Sequence, residues 1–438
     1  MFVLEFKVEA KKQQYQAIDD AIRTSQFIRN KCLRYWMDNK GVNKYDLSAY
    51  CKILAHDFKF ASELNSQARQ ASAEKAWSSI SRFFDNCKKK IPGKKGYPRF
   101  KKFSRSVEYK TTGWKLITPK TISFSDKKGI GTLSLKGTWD LAYFKDSDIK
   151  RVRLIRRADG YYCQFVLSCE VTEDIKPSGK CIGLDVGLAS FYTDQQGSKV
   201  DNPIFLRKSE KRLKRLQRRL SKKVKGSSNR QKARQRLAKV HLKVSRQRKD
   251  FAVKLARCVV HSNDVIAYED LRIKNLVKNH CLAKSINDAA WYQFREWIEY
   301  FGSKFSKITV AVPPQYTSQN CSNCGETVKK SLSTRTHVCS CGACLDRDEN
   351  AALNILKLGL STVGHTGSKA SESEILSALA TANGGEDTST LIGVILSKQV
   401  SSVNQESSTM RGRGVSKELK LGDSQLIKIS YDSTDHTR

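Results

Sequence analysis

Three carboxylates stand where apolar segments end or a helix begins. Asp185 follows Ile182-Gly183-Leu184, Glu269 follows Val265-Ile266-Ala267-Tyr268, and Asp348 lies in the run DRDENAALNIL. A carboxylate in such surroundings is costly unless it is exposed, paired or bound to a cation. Taken singly, each reads most simply as a turn former or helix cap, and Glu269-Asp270 as a pair that ends its strand. As a set, three carboxylates converging from separate elements can hold two Mg2+ ions about 3.5–4 Å apart. One ion activates water, and the other stabilises the leaving oxygen of a phosphodiester. Oxygen ligands suit Mg2+, which keeps some waters and takes substrate phosphate as a further ligand. Asp346, in the same run, competes with Asp348 for the third position.

A second chemistry lies in the cysteines. Of thirteen, Cys321, Cys324, Cys339, Cys341 and Cys344 fall within 24 residues. A C-x-x-C followed after fourteen residues by C-x-C suits tetrahedral Zn2+ in a closed structural site. Cys341-Gly-Ala-Cys344 offers an alternative C-x-x-C, so Cys344 competes as a ligand. His337 is close by, but with four thiolates available it reads as structural. The N-terminus meets a charge at Glu5 and carries no signal-peptide pattern, so reduced thiols in the cytosol are expected.

The third feature is charge: 80 Lys+Arg against 43 Asp+Glu give +37 over 438 residues. That exceeds what solubility needs and implies a polyanionic partner, nucleic acid before an anionic membrane surface. No apolar run approaches the roughly 18 residues of a membrane helix, and LIGVIL at 391–396 is strand-sized. A hydrophobic content of 39% supports real cores and argues against a wholly disordered basic protein. Residues 207–249 hold twenty Lys/Arg against one acid, Glu210. Such a run would repel itself without a phosphate partner. The last segment, 364–438, sums to −1 with 21 Ser/Thr and is expected to be a flexible tail, which leaves +38 on the first 363 residues.

Elements must position these groups. Phe2, Leu4, Phe6 and Val8 alternate with charges and predict a half-buried strand. A helical stripe follows over 11–38, then mixed loop and helix, then a second long helix over 63–88. Strand patterns return by 105–171, with a hairpin turning at Asp159-Gly160. The first strand should therefore join that later sheet, with the helices grafted on as a lobe. A new unit starts at 181–200 with a strand pair turning at Gln195-Gln196-Gly197-Ser198. The basic helical pair, a strand at 264–271, one aromatic-rich helix over 286–305 and the strand KITVAV follow, and a helix begins near DRDENAALNIL.

GLDVGL, YEDL, the cysteine module reached through YTSQNCSNCG and the closing DRDENAALNIL together resemble the transposon-encoded TnpB family. These are RNA-guided DNA endonucleases related to type V CRISPR effectors. GYPRFKK at 96–102 extends the resemblance to about residues 1–360. It implies an α+β multidomain protein: a RuvC/RNase H-like nuclease domain with a zinc-ribbon insertion, a β-barrel-like wedge region and a helical recognition lobe. The implied boundaries are 1–10 plus 90–178 for the wedge, 11–89 for the lobe, and 179–315 plus 345–363 for the nuclease domain. That domain carries the basic insertion 205–262, the zinc module spans 316–344, and 364–438 is the tail.

The resemblance implies Asp185, Glu269 and Asp348 as the catalytic, Mg2+-binding triad. The family pattern D-x-N-A-A sets the third acid two residues before Asn350 and leaves Asp346 to cap the helix or orient its neighbour. Asn350 would then start the helix or support the site, and Arg347 and Arg335 would contact phosphate or serve structure. Counting back from DRD makes Cys341 the last zinc ligand after Cys321, Cys324 and Cys339, with Cys344 spare, although the family usually shows a second C-x-x-C. The basic insertion would line a channel for a guide RNA–DNA heteroduplex, with Gln67, Gln70 and Lys75 as candidates for reading the flanking DNA motif. Trp291, Tyr292, Phe294, Trp297, Tyr300 and Phe301 read as core packing. The implied partners are a guide RNA from the transposon end and double-stranded target DNA, with no membrane, in a monomeric ribonucleoprotein. The implied location is the prokaryotic cytoplasm, at the nucleoid when DNA is bound. Alternatives are a miniature type V CRISPR effector, a non-cleaving RNA-guided DNA-binding regulator and a strand-transferring transposase.

Overall fold

The structure is a computed structural model that describes residues 2–168, 175–331 and 333–367. Its first unit is a seven-stranded antiparallel sheet with helices inserted after the first strand. Strand β1 (Phe2–Glu9) precedes helices α1 (Lys12–Asp38), α2 (Lys44–Asp57), α3 (Lys59–Ser62) and α4 (Ser66–Lys88). Strands β2 (Ser106–Tyr109), β3 (Trp114–Thr118), β4 (Thr121–Phe124), β5 (Gly131–Lys136), β6 (Ile149–Arg157) and β7 (Gly160–Leu167) follow. The order β2-β6-β7-β1-β5-β4-β3 sets β1 at the centre, antiparallel to β7 and β5. Leu4, Phe6 and Val8 are buried at 2% exposure or less and turn one face of this central strand into the core. The sheet curls at its ends, where Tyr109 on β2 meets the Phe124 ring on β4 at 4.8 Å and donates its hydroxyl to Asp126.

Helices and sheet here share one core. Ile18, Ile28 and Leu33 of α1, Leu47 and Leu54 of α2 and Ile80 of α4 pack in one cluster with Phe6, Leu133 and Phe165. Helix α2 owes its start to Asn43, whose side chain accepts from Tyr45 and Asp46 while Asp46 accepts from the Asn43 amide. At the seam, buried Glu108 is ringed by Lys75 at 3.4 Å, Arg151 at 2.7 Å and Arg153 at 2.9 Å. Burial pushes its carboxyl upward, but Lys75 and the two guanidiniums outweigh that and hold it near 2. Lys75, a candidate for reading the flanking DNA motif, is thus paired with Glu108 at the seam; Gln67 and Gln70 are half-buried on α4.

The second unit is a mixed five-stranded sheet of order β10-β9-β8-β11-β12. It comprises β8 (Cys181–Val186), β9 (Ser190–Asp194), β10 (Lys199–Asp201), β11 (Val265–Glu269) and β12 (Ile308–Val312). Strands β8, β11 and β12 run parallel, and β9 and β10 return antiparallel. Between β10 and β11 lie the basic helices α5 (Phe205–Ser221) and α6 (Ser228–Ser262). The stretch expected as one helix over 286–305 is two, α8 (His280–Ala289) and α9 (Trp291–Lys304), after a short α7 (Ile273–Leu276). Ala290 breaks it with φ 59°, a left-handed value that ordinary residues rarely adopt. Near the break, buried Asp288 accepts from the Leu206 and Arg207 amides and from Arg248, so it caps α5 and ties α6 to the same corner. The α9 aromatics divide: Trp291, Phe294 and Phe301 are buried, whereas Tyr292 and Tyr300 are exposed.

A cysteine-bearing segment with a two-stranded hairpin, β13 (Thr336–Val338) and β14 (Cys344–Asp346), leads into helix α10 (Arg347–Gly367). Helix α10 continues to Gly367, past the expected boundary at 363, and residues 368–438 of the expected tail lie outside the described residues. No helix among the described residues is long and apolar enough to cross a membrane.

Candidate functional site

The alternation along two parallel strands decides where the first two acids point. On β11, Ile266 and Tyr268 join the core under α6 and α9, while Val265 and Ala267 face the other way, toward α10. Glu269 has the parity of Val265 and Ala267. On β8, Ile182 and Leu184 join the α6/α9 core, so Gly183 and Asp185 share the opposite face. The register Ala267↔Gly183 and Tyr268↔Leu184 carries Glu269 alongside Asp185, one strand spacing of about 4.8 Å away.

Helix α10 closes over that face. Ala352, Ile355, Leu356 and Val363 are buried along it, and Asp348 stands in its first turn. The approach is close enough to require glycine twice. A Cβ on Gly183 would fall 2.3 Å from the Ala352 carbonyl oxygen, and one on Gly359 would fall 2.5 Å from the Ala267 Cβ. This contact brings the third acid to the other two. Burial pushes the Asp185 carboxyl well above its ordinary range, Glu269 and Asp348 push it further, and Arg347 opposes them. Burial also raises Glu269, against a hydrogen bond from the Thr317 hydroxyl to its Oε1 at 2.7 Å. Burial raises Asp185 and Glu269, and the like charges of Glu269 and Asp348 act on Asp185, so the site favours a cation.

The neighbours sort the remaining expectations. Asp346 accepts from the Asp348 amide at 2.9 Å and from Lys199 Nζ at 2.8 Å, so it caps α10. Burial acts upward on its carboxyl, but Lys199 outweighs that and holds it below the ordinary range. Arg347 donates to Asp348 Oδ1 at 3.1 Å, and Arg335 lies 3.9 Å from Oδ2. Both arginines therefore face the third carboxylate. Asn350 is fully buried, accepts from the Ser322 amide at 2.9 Å and donates to the Asn320 carbonyl at 2.8 Å. Asn354 donates to the Thr317 and Asn320 carbonyls, and Lys357 to that of Ser322. Residues 350, 354 and 357 lie on one face of the helix, and that face docks the cysteine segment. Their i, i+4, i+7 spacing was the available signal for it; nothing local marks Thr317 or Lys199.

The Sγ atoms of Cys321, Cys324, Cys339 and Cys341 all lie within 4.8 Å of one another, a group that could hold a metal ion. Cys321–Cys341 is 3.7 Å and Cys324–Cys339 is 3.5 Å. Four thiolates about 2.3 Å from a tetrahedral ion would stand about 3.8 Å apart, so this donor set fits one. The Ala343 amide and Asn323 hold the Cys341 thiol down to about 6, which favours the thiolate a metal requires. Two turns shape the cluster. Gly325 (φ 82°) donates to the Cys321 carbonyl four residues back, and Gly342 (φ 88°) to that of Cys339 only three back. The shorter second turn accommodates the expected C-x-C spacing. Cys344 is exposed on β14 and outside the group, and His337 is buried against Lys330 beside it.

Between the units, Lys7, Asp159, Lys239, Leu242, Lys243, Arg246 and Gln247 line a cleft of about 440 Å³. Arg246 bridges them, donating to Asp159 at 2.6 Å and to the Tyr162 hydroxyl at 2.7 Å.

Residues 164–280 match the OrfB_IS605 family profile, described as "Probable transposase", and residues 291–355 match the Cas12f1-like TNB domain. The chain is 33% identical over 310 residues to a Streptomyces pristinaespiralis protein named as an RNA-guided DNA endonuclease, covering 69% of this chain and 74% of that protein. It is 30% identical to Escherichia coli K12 InsQ, named likewise, covering 60% and 68%. Among solved structures, it aligns with a cryo-EM structure of a Cas12f1–sgRNA–target DNA complex at TM-score 0.49 and 16% identity, covering 79% of this chain and 83% of that one. The acidic centre, the cysteine cluster and these sequence relationships together make this chain a member of the TnpB family of RNA-guided DNA endonucleases.

Proposed function

We propose that the chain binds a guide RNA and cleaves complementary DNA of a mobile element's target beside a short flanking motif, hydrolysing phosphodiesters at Asp185, Glu269 and Asp348. The observation that carries this reading is the convergence of those three carboxylates on one face of the second sheet. Their hard oxygens suit two Mg2+ ions, which when bound would polarise water and stabilise the leaving oxygen. The chain's own residues do the rest. Thr317 donates to one oxygen of Glu269 and leaves the other available to a cation. Arg347 fixes the rotamer of Asp348, and Asp346 holds the first turn of α10 in place. Burial disfavours the charged forms of Asp185 and Glu269, a cost that a bound cation would offset.

In the same reading the sheet of order β10-β9-β8-β11-β12 with α10 on one face is the RuvC/RNase H-like domain. The four-thiolate segment is its zinc ribbon, and residues 11–89 are the recognition lobe on the wedge sheet. The basic pair α5/α6 and the cleft at Lys7, Lys239 and Lys243 then supply the cationic wall for an RNA–DNA duplex, held by its backbone. The guide would come from the transposon end, and the ribonucleoprotein would be a cytoplasmic monomer that reaches the nucleoid with its target.

The test uses purified wild type and Asp185→Ala, each with its copurified RNA, a matched plasmid and Mg2+. Wild type cuts, and the variant binds the plasmid without cutting. Cutting by the variant overturns the catalytic assignment; no cutting by wild type in Mg2+ overturns the nuclease reading.

A further inference from the structure

Residues 94–105 form a strap with a composition of its own: six cations (Lys94, Lys95, Arg99, Lys101, Lys102, Arg105), three aromatics (Tyr97, Phe100, Phe103) and no acid. It holds neither helix nor strand, yet its backbone is fastened. Asn86 donates to the Lys95 carbonyl at 3.0 Å and Arg29 to that of Arg99 at 3.3 Å. Asn30 donates to the Lys101 carbonyl at 2.9 Å and accepts from its amide at 3.0 Å, while Gln26 clasps Lys102 and Ser104 in the same way. Four side chains, three of them on α1, thus satisfy the main chain and leave Phe100 and Phe103 outside, while the Tyr97 ring leans on Phe83 at 5.2 Å and Trp36 at 5.9 Å. Tyr97 is 53% exposed, Phe100 47% and Phe103 87%. A solvated basic loop would need neither a pinned backbone nor a bare phenylalanine, whose exposure has a hydration cost.

We infer that this strap is a stacking platform for unpaired bases of the guide RNA, with the interleaved lysines and arginines taking its phosphates. The inference rests on the RNA-guided reading above. Rings spaced among cations suit single strands, whose bases offer open faces, and not a duplex, whose bases are stacked inside. The strap lies on α1 of the first unit, whereas the strand to be cut must reach the carboxylates of the second. Its occupant is therefore the RNA that remains bound throughout.

The experiment uses the full chain carrying Asp185→Ala, so that cutting does not intervene, with two probes at 0.3 M salt. One is a fluorescein-labelled 20-nucleotide oligoadenylate RNA, the other a perfectly paired RNA hairpin of equal length. Phe100→Ala/Phe103→Ala should weaken oligoadenylate binding at least about tenfold and leave the hairpin nearly unchanged. Phe103→Trp should retain binding, whereas Phe103→Leu, apolar but without a π face, should not. Ultraviolet crosslinking of the copurified RNA should map to the 97–105 peptide. Equal oligoadenylate affinities, retention by Phe103→Leu, or crosslinks elsewhere only would overturn the platform. With the same oligomer as single-stranded DNA in a further titration, a variant that binds its RNA normally and fails only with that DNA would overturn the assignment to RNA. Because wild type must first bind its guide and, without Asp185→Ala, cut its plasmid, failure of the strap is distinguishable from failure of the functional reading.

Discussion

The thiolate cluster and the carboxylate cluster both adjoin helix α10 and are built in opposite ways. The thiolates come from one short segment, shaped by two glycine turns and a two-stranded hairpin. The carboxylates come from two strands and a helix, and they meet because of strand register and two glycines that let α10 lie against the sheet. A local site depends on its spacing, and a non-local one on every layer that sets its distances. The two are coupled through Asn350, Asn354 and Lys357, which fasten the thiolate segment to the helix that bears Asp348.

The largest effect should come from breaking the local site. A structural zinc site is worth about 10–16 kcal/mol to its fold, so Cys341→Ser should release the metal and lower the melting temperature of the second unit. Cleavage should fall with it, because α10 loses its docked partner. Cys344→Ser should stay within about 0.5 kcal/mol of wild type. Metal content by a chromogenic thiol-release assay decides between them, and release by Cys344→Ser would move the fourth ligand.

Next comes the non-local site. Gly183→Ala forces a Cβ against the Ala352 carbonyl; overpacking of this kind costs about 1–3 kcal/mol. The expected result is a lower denaturation midpoint and reduced cleavage with full metal content retained in the thiolate segment. Loss of the metal together with cleavage would show that the two clusters are not built independently.

The smallest effects separate neighbours within the acidic centre. Thr317→Val removes the hydrogen bond to Glu269, worth about 1 kcal/mol, and should slow cleavage several-fold with little loss of stability. Asp346→Asn keeps a capping side chain and should act as mildly, since Asn and Asp cap equally well. Rate measurements on Asp346→Asn beside Asp348→Asn sharpen the contrast. Abolition by the former would transfer the third position to Asp346.

Much of this arrangement was legible in residue order. Alternation marked β1 as a buried strand, apolar runs marked β8 and β11, and spacing marked the thiolates. What escaped was set by contacts between distant segments. The 286–305 pattern is helical throughout, yet the chain turns at Ala290, beside the corner where Asp288 caps α5 and binds Arg248. Lys75 stood as a candidate for reading the flanking DNA motif, and its partner Glu108 belongs to a strand much later in the chain. Helices 11–89 read as a lobe grafted onto the wedge sheet, and only the packing shows that their apolar stripes end in the core of that sheet.

The order of residues alone determined which groups could do chemistry: acids at strand ends, paired cysteines, and a charge of +37 that requires a polyanion. Those properties follow from side-chain type and short-range spacing, which folding does not change. Only the tertiary structure decided that Glu269 and Asp348 both lie within electrostatic reach of Asp185, that Cys341 and not Cys344 joins the thiolate group, and that Arg347 faces Asp348. Each of those depends on a distance between segments, and such distances come from sheet register and close packing, which no local pattern encodes.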